Sequence, residues 1–295
     1  MTVEPDLSRL DRLSRGVHDR AAGHRDDPDW LDRAWKRSRV LVLTTEMTTA
    51  VDETGAGPRL LLRPPDDADT NPLRLYLGEH EGTPYFAVLG ERGLSADRWA
   101  GLLHVGAELN DLDAGLLTEA VALAQWHLRH PRCSLCGEPT GVHRAGWSRR
   151  CPADGTEHWP RTDPAVIVLV HDGHDRCVLG RQASWPTGRY SILAGFVEPG
   201  EPVEAAVVRE VAEEVGIAVT DLRYLGSQPW PFPSSLLLGF TAQVRGDPTL
   251  RLAGSELEDA RWVRREEIRS GEGVLMMPRP VSIAHRIITD WLSAG

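Results

Sequence analysis

Hydrophobic and polar positions change rhythm three times along the chain. Residues 1–35 are rich in Asp and Arg and only weakly periodic. Short apolar runs follow at 39–44 (RVLVLT), 60–63, 73–77 and 83–89. Gly, Pro and Asp turns separate them, which predicts a small β-rich domain. Over 109–131 the period lengthens: Leu116, Ala120, Leu123 and Trp126 recur at helical spacing, and Pro131 ends the run. A cysteine-bearing knuckle, CSLCGEPTGVHRAGWSRRCPADG, begins at Cys133. From Pro164 the pattern reads strand (AVIVLV), turn (HDGHD), strand (RCVLGRQ), a Gly-rich loop and a Glu-rich helix. Two more strands (LRYLGSQ, LLLGFTAQV), a strand near ARWV and a last helix near SIAHRIITDWL complete it. This predicts an α+β chain in three parts: a β-rich domain over 1–130, the knuckle over 131–162, and an α/β/α sandwich over 163–295. No internal repeat or low-complexity tract is visible.

Composition narrows the chemistry. The chain has 295 residues, 41% hydrophobic and 26% charged, which reads as a globular protein. Its net charge is −10, and Lys36 is its one lysine. A Walker-type phosphate loop needs a lysine after its second glycine and is excluded. A strongly acidic chain is also a poor general nucleic-acid clamp, because non-specific binding rests on neutralising phosphates with cationic side chains. A phosphate-bearing substrate would need metal ions or a few local arginines. The opening MTVEPDLSRLDRLSRG has no apolar core, so it does not read as a secretory signal. The run at 165–170 is strand-length, far short of a membrane span. A cytoplasmic protein is expected, with its four cysteines reduced and available as ligands rather than disulfide-bonded.

Residues 195–217, GFVEPGEPVEAAVVREVAEEVGI, carry the strongest chemical signal. Glu210, Glu213 and Glu214 share one helical face at i, i+3 and i+4. Like charges at this spacing repel by roughly a few tenths of a kcal/mol per pair. A positive partner should therefore face them. Their oxygens can converge on hard divalent cations, and Gly195 and Gly200 permit a tight loop whose carbonyls approach the same ions. Arg209 can bridge to Glu201 and hold the loop on the helix. Ala205, Ala206, Val207, Val211 and Val215 form the expected buried side.

This pattern, G-x5-E-x7-R-E-V-x-E-E-x-G-I, resembles the Nudix box of the Nudix hydrolases. The resemblance implies an α/β/α sandwich and Mg²⁺- or Mn²⁺-dependent hydrolysis of a nucleoside diphosphate linked to another group. It implies Glu210 and Glu214 as metal ligands, Glu213 as a further ligand or water-orienting group, and the Ala194 main-chain carbonyl as another ligand. One carboxylate, assigned as Glu214, would activate water.

Downstream, 227–235 reads SQPWPFPSS. Three prolines stiffen the backbone and fix two aromatics between them. Such a loop can present an aromatic face at little entropic cost. Trp230 or Phe232 could stack on a base, and Gln228 and Ser235 could hydrogen-bond a ribose or amide; a rigid turn with buried aromatics fits equally well. At this distance after the box, the segment looks like the mark of the NADH pyrophosphatase group of Nudix hydrolases. That resemblance covers most of the chain. It implies cleavage of NAD(H) to AMP and nicotinamide mononucleotide, removal of NAD caps from RNA 5′ ends, a zinc ribbon and a homodimer. It implies that Phe196 and Trp159 line a nucleotide pocket and that Gln228, Trp230 and Ser235 contact substrate. Glu256 matches a further metal-binding Glu. Ala284 matches a main-chain contact to substrate or metal. The resemblance also makes Ile167 a candidate pocket residue and, on a looser match, Arg92 a candidate substrate contact.

In the knuckle, Cys133, Cys136 and Cys151 resemble a zinc ribbon whose fourth position holds Asp154. Three thiolates and a carboxylate are an acceptable zinc set. His158 is an alternative fourth ligand, and a ribbon surviving on packing without metal is the competing account. Cys177 reads as an inert buried thiol, and His127 and His130 as structural. Other readings of the whole chain are a broader Nudix hydrolase of ADP-ribose or dinucleoside polyphosphates, and a non-catalytic nucleotide sensor. SQPWPFPSS argues against the first, and retention of Glu201, Glu210, Glu213 and Glu214 against the second. A fourth reading makes the ribbon a nucleic-acid module, with Arg144, Arg149, Arg150 and Arg161 as a local patch.

Overall fold

The computed structural model describes residues 11–66, 69, 73–252, 256–271 and 276–294. The first ten residues of the opening stretch, read above for a leader, lie outside them. The chain divides into two compact units: Met1–Thr162 with Pro229–Ser234, and Asp163–Gln228 with Ser235–Gly295.

In the first unit the predicted runs become β1 (Arg39–Leu43), β4 (Arg74–His80) and β5 (Thr83–Leu89), joined in the order β1-β5-β4. A second three-stranded sheet, β3-β2-β6, uses β2 (Thr48–Asp52), β3 (Arg59–Leu60) and β6 (Arg98–Gly101). A short helix α1 (Pro28–Lys36) precedes both sheets and α2 (Leu102–Val105) follows them. The long helix α3 (Asp111–Arg129) is buried along most of its length. Its start is built from polar pieces. Asn110 caps the amide of Asp113, and Asp113 Oδ2 accepts from Arg59 Nε at 2.8 Å and Asn110 Nδ2 at 2.9 Å. A buried carboxylate is tolerable only when paired in this way. The ribbon is a three-stranded sheet, β7 (Gly141–His143), β8 (Ser148–Arg150) and β9 (Glu157–His158).

The second unit is a mixed sheet. β10 (Asp163–His171) lies at its centre, apolar and buried from Ala165 to Val170 because both faces are covered there. It runs parallel to β14 (Ser235–Arg245), from Asp163 beside Ser235 to His171 beside Gln243. β13 (Ala218–Trp230) flanks β14; β11 (Arg176–Arg181) and β15 (Asp259–Arg264) extend the other side. β12 (Leu193–Phe196) pairs antiparallel with β10. On one face Val166, Val168 and Val170 meet Ala206, Val207, Val211 and Val215 of α4 (Val203–Val215). Ala205 lies on the exposed side of α4, one step off the expected stripe. On the other face α6 (Ile283–Ser293) seats Ile283 and Ile287 over Gly239, where an added Cβ would meet both at 2.9 Å. A short α5 (Arg265–Ser270) follows β15. Two helices over opposite faces of one sheet make the expected α/β/α sandwich.

Leu116 of α3 has no exposed surface, whereas Leu128 on the same helix is 46% exposed. Leu116→Ala should destabilise the chain by about 2–5 kcal/mol through lost burial and a residual cavity. Leu128→Ala should stay within about 0.5 kcal/mol. Urea unfolding of the two variants checks the contrast.

Candidate active site and metal-ligand cluster

The carboxylates of α4 meet the end of β12. Val197 N–H donates to Pro164 O at 3.0 Å, which fixes the alternation of bonded and non-bonded pairs between β10 and β12. Ala194, opposite Ile167, is then a non-bonded pair and turns its N–H and C=O away from β10. That N–H donates to Glu214. Its carbonyl leaves the strand on the same side. Gly195 follows because nothing larger fits: an added Cβ would lie 1.9 Å from Glu210 Cδ.

Arg209 binds this arrangement together. Its Nε donates to Glu201 Oε1 at 2.9 Å and its Nη2 to Glu201 Oε2 at 2.8 Å. Nη1 reaches Glu210 Oε1 at 2.8 Å and Glu213 Oε2 at 3.0 Å, and Nη2 also donates to the Phe196 carbonyl at 2.9 Å. The guanidinium holds Glu201 below the usual carboxylate range. It does not neutralise the buried pair. Burial raises Glu210, against the pull of Arg209. Glu214 is pushed up to about 8, first by burial and then by the charges of Glu210 and Glu256. Among the described residues its Oε2 is buried with no hydrogen-bond partner. An orphaned carboxylate oxygen beside two further carboxylates is a donor set for a hard divalent cation. Glu213, on the same turn, is largely exposed. Glu256 is exposed and opens onto Glu210 and Glu214.

The remaining predicted residues are placed as follows. Ile167 is buried on β10, on the α6 face. Phe196 presents a ring that is 59% exposed. Gln228 is fully buried, with Nε2 donating to Val281 O at 2.9 Å and Oε1 accepting from Ile283 N at 2.7 Å. Ala284 is buried in the first turn of α6, and its N–H donates to Ser282 Oγ. Ser235 opens β14 beside Asp163. In the first unit, Trp230 and Phe232 stand edge to face with centroids 5.1 Å apart, and Gln125 Nε2 donates to Pro231 O at 2.7 Å. Trp159 is 54% exposed, with the Arg144 guanidinium 5.2 Å from its ring centroid. Arg92 is exposed, 5.9 Å from the Trp99 ring.

The ribbon holds a second cluster. Cys133, Cys136, Cys151 and Asp154 place their ligand atoms within 4.8 Å of one another. Two turns with the same plan deliver them. Gly137 N–H donates to Cys133 O and Cys133 N–H to Glu138 O; Gly155 repeats this to Cys151 O, and Cys151 to Thr156 O. Both glycines take positive φ, 79° and 73°. Hydrogen bonds led by the Cys136 N–H draw the Cys133 thiol down to about 7. The Thr156 N–H keeps Asp154 well below the usual range. His158 Nε2 lies 3.3 Å from Cys133 Sγ. His127 is buried between Gly146 O and the Arg149 guanidinium, and burial pushes it down to about 4. Cys177 is buried in β11, its thiol pushed up to about 12.

A NUDIX domain matches residues 161–292, and an NADH pyrophosphatase zinc ribbon domain matches 128–159. The "NAD-capped RNA hydrolase NudC" of Mycobacterium bovis is 39% identical over 314 aligned residues, covering 98% of this chain and 97% of its own. The chain belongs to the NADH pyrophosphatase family of Nudix hydrolases. The human "NAD(P)H pyrophosphatase NUDT13, mitochondrial" is 41% identical over 200 residues, 63% of this chain and 56% of its own. The "NAD-capped RNA hydrolase NUDT12" of Macaca fascicularis is 38% identical over 199 residues, 63% of this chain and 43% of its own. Among the described residues no helix is long and apolar enough to cross a membrane.

The raised Glu214 gives this Nudix enzyme a testable pH dependence. Between its ordinary value of 4.5 and about 8 the folded chain holds a proton that the unfolded chain has released. Stability of metal-free protein must then fall as pH rises through that window. In EDTA, Glu214→Gln should melt above wild type at pH 8, and the gap should close at pH 5. Added Mg²⁺ should narrow it at pH 8 by replacing the proton. Differential scanning fluorimetry across that range reads all three.

Proposed function

We propose that this chain hydrolyses the pyrophosphate of NAD(H) to AMP and nicotinamide mononucleotide and removes NAD caps from RNA 5′ ends. The orphaned Glu214 Oε2, buried beside Glu210, carries the catalytic half of this reading. The names and extent of similarity of the relatives support the substrate half.

Glu210, Glu214, Glu256 and the Ala194 carbonyl would hold Mg²⁺ or Mn²⁺. When bound, such an ion lowers the pKa of a coordinated water and offsets charge on the phosphoryl oxygens. The chain's own residues do the rest. Ala194 N–H orients the Glu214 carboxylate, whose ionised form takes a proton from the attacking water. The water oxygen bonds to one phosphorus of the pyrophosphate as its bond to the bridging oxygen breaks. The bridging oxygen leaves on the other phosphate. Arg209 keeps Glu210 and Glu213 pointing into the site while the Glu201 bond holds the loop. Exposed Phe196 is suited to stack on a ring of the dinucleotide.

The ribbon is proposed to hold structural Zn²⁺ through Cys133, Cys136, Cys151 and Asp154. Tetrahedral zinc–thiolate bonds near 2.3 Å set neighbouring sulfurs about 3.8 Å apart. Cys136 Sγ and Cys151 Sγ already stand at 3.5 Å. A homodimer and a cytoplasmic location complete the proposal.

With Mn²⁺ or Mg²⁺, NADH should yield AMP and reduced nicotinamide mononucleotide, and NAD-capped RNA a 5′-monophosphate end. Chromatography resolves both. Turnover of ADP-ribose alone would sink the substrate assignment. Glu214→Gln should lower turnover by about 10²–10⁴-fold without unfolding the chain. For the ribbon, one zinc per chain is expected from metal analysis. Asp154→Ala should release it to a chromophoric chelator faster than wild type, and Asp154→Cys more slowly.

A further inference from the structure

We propose that Gln228 is a positioning residue, which fixes the first turn of α6 and, through it, the strand row beneath the carboxylates, without touching substrate. The kinetic part of this inference rests on the activity proposed above; the structural part does not.

The side chain has 0% exposure, so it has no surface to offer a ligand. Both ends of its amide are used. Nε2 donates to Val281 O at 2.9 Å, and Oε1 accepts from Ile283 N at 2.7 Å. One planar amide thus closes on two backbone groups two residues apart, as a neighbouring strand would. The first N–H groups of a helix lack partners within it. In α6 they are supplied in order: Ile283 by Gln228, Ala284 by Ser282 Oγ at 3.2 Å, His285 by Ser282 O at 3.0 Å. This helix start is therefore saturated by its own chain and does not present an anion site. Val281 and Ile283 are themselves buried, so deleting the amide strands an acceptor and a donor away from water.

The clamped turn stands on the row that leads to the site. Ile283 and Ile287 press on Gly239. Gly239 lies beside Ile167 in the parallel pair, and Ile167 lies opposite Ala194. Ala194 N–H holds Glu214. Gln228, Ile283, Gly239, Ile167, Ala194 and Glu214 are thus consecutive neighbours. Small displacements at a reacting centre can cost up to about 10²-fold in rate. A loosened α6 turn acts from one sheet width away.

The test pairs amide exchange with kinetics. In Gln228→Met the Ile283 and Ala284 amides should exchange at least about 10-fold faster in ligand-free protein, the loss of roughly one net hydrogen bond. kcat/KM for NADH should fall by about 10-fold, mainly in kcat, for a similar reason. Ser282→Ala, which loosens the same turn from the other side, should shift both readouts in the same direction. The double variant should lose less than the product of the two, since the residues share one turn. Gln228→Glu keeps the acceptor for Ile283 N and should fall between wild type and Gln228→Met; it serves as the test should the Met variant not fold. Lost activity with unchanged exchange, or a loss confined to KM, would make Gln228 a direct substrate contact and overturn the inference. Faster exchange with unchanged kinetics would reduce it to a structural residue and overturn it equally. If wild type does not cleave NADH, the proposed activity fails, while the exchange data still decide whether the clamp exists.

Discussion

Everything in the second unit is arranged around a repulsion that is not fully relieved. Glu210 and Glu214 are buried within one turn of each other, and Glu256 adds a third charge from outside. Burying carboxylates together is unfavourable by both desolvation and Coulomb repulsion. Arg209 answers part of this with five hydrogen bonds, three of them to Glu210, Glu213 and the Phe196 carbonyl and two to Glu201. Its carboxylate contacts are to Glu201, Glu210 and Glu213. Glu214 makes no bond to Arg209 and, among the described residues, receives only the Ala194 N–H. One guanidinium against four carboxylates leaves a deficit of positive charge, concentrated at Glu214 Oε2. A neutral residue there would stabilise the bare fold, so the deficit is informative about function. It is the place where a proton or a cation must come.

The same helix explains which parts of the structure were legible beforehand. α4 announces itself because its Val stripe and its carboxylate face alternate at one period, and α3 because its apolar positions hold the helical spacing for 19 residues. β10 is apolar on both sides and could only be a covered strand. Other elements carry their cause elsewhere. β12 reads as a Gly-rich loop; it is a strand because β10 offers it a ladder, and its glycine is required by Glu210. β2 (TTAVD) has too few apolar positions to stand out and is made a strand by β3 and β6 on either side. α1 was hidden by its Asp and Arg content. Its signals were local instead: Asp27 accepts from the Trp30 amide and Pro28 opens the helix.

The site was legible in the same uneven way. The carboxylate face, the Arg209–Glu201 bridge and the cysteine cluster all follow from spacing, because one helix turn or one C-x-x-C turn places them. Gln228 does not. A glutamine between a serine and a proline in an aromatic segment reads as a group offered to a ligand. Its hydrogen-bond partners within the fold, Val281 and Ile283, lie 53 and 55 residues away and leave no trace at position 228. Long-range backbone clamps of this kind are invisible to local pattern, whereas the need they satisfy, a partner for the first N–H of a buried helix, can be read from the other end of the bond.

The ribbon gives the complementary lesson. Its two turns are built alike, down to the residue after the last ligand being a glycine at positive φ. Three of the four ligand positions hold cysteine, and the fourth holds a carboxylate already ionised and aimed by the Thr156 N–H. A thiol must lose a proton before it binds zinc, whereas Asp154 has none to lose. The cysteines must release theirs, and Cys133 is the one prepared to do so. Under the proposed zinc binding, a carboxylate at position 154 in place of a thiolate would trade bond softness for a ligand that is ready at any physiological pH. In both clusters of this chain the backbone amide decides which acidic group is charged. Thr156 N–H commits Asp154 to the anion, whereas one Ala194 N–H cannot do the same for Glu214 against burial and two neighbouring charges.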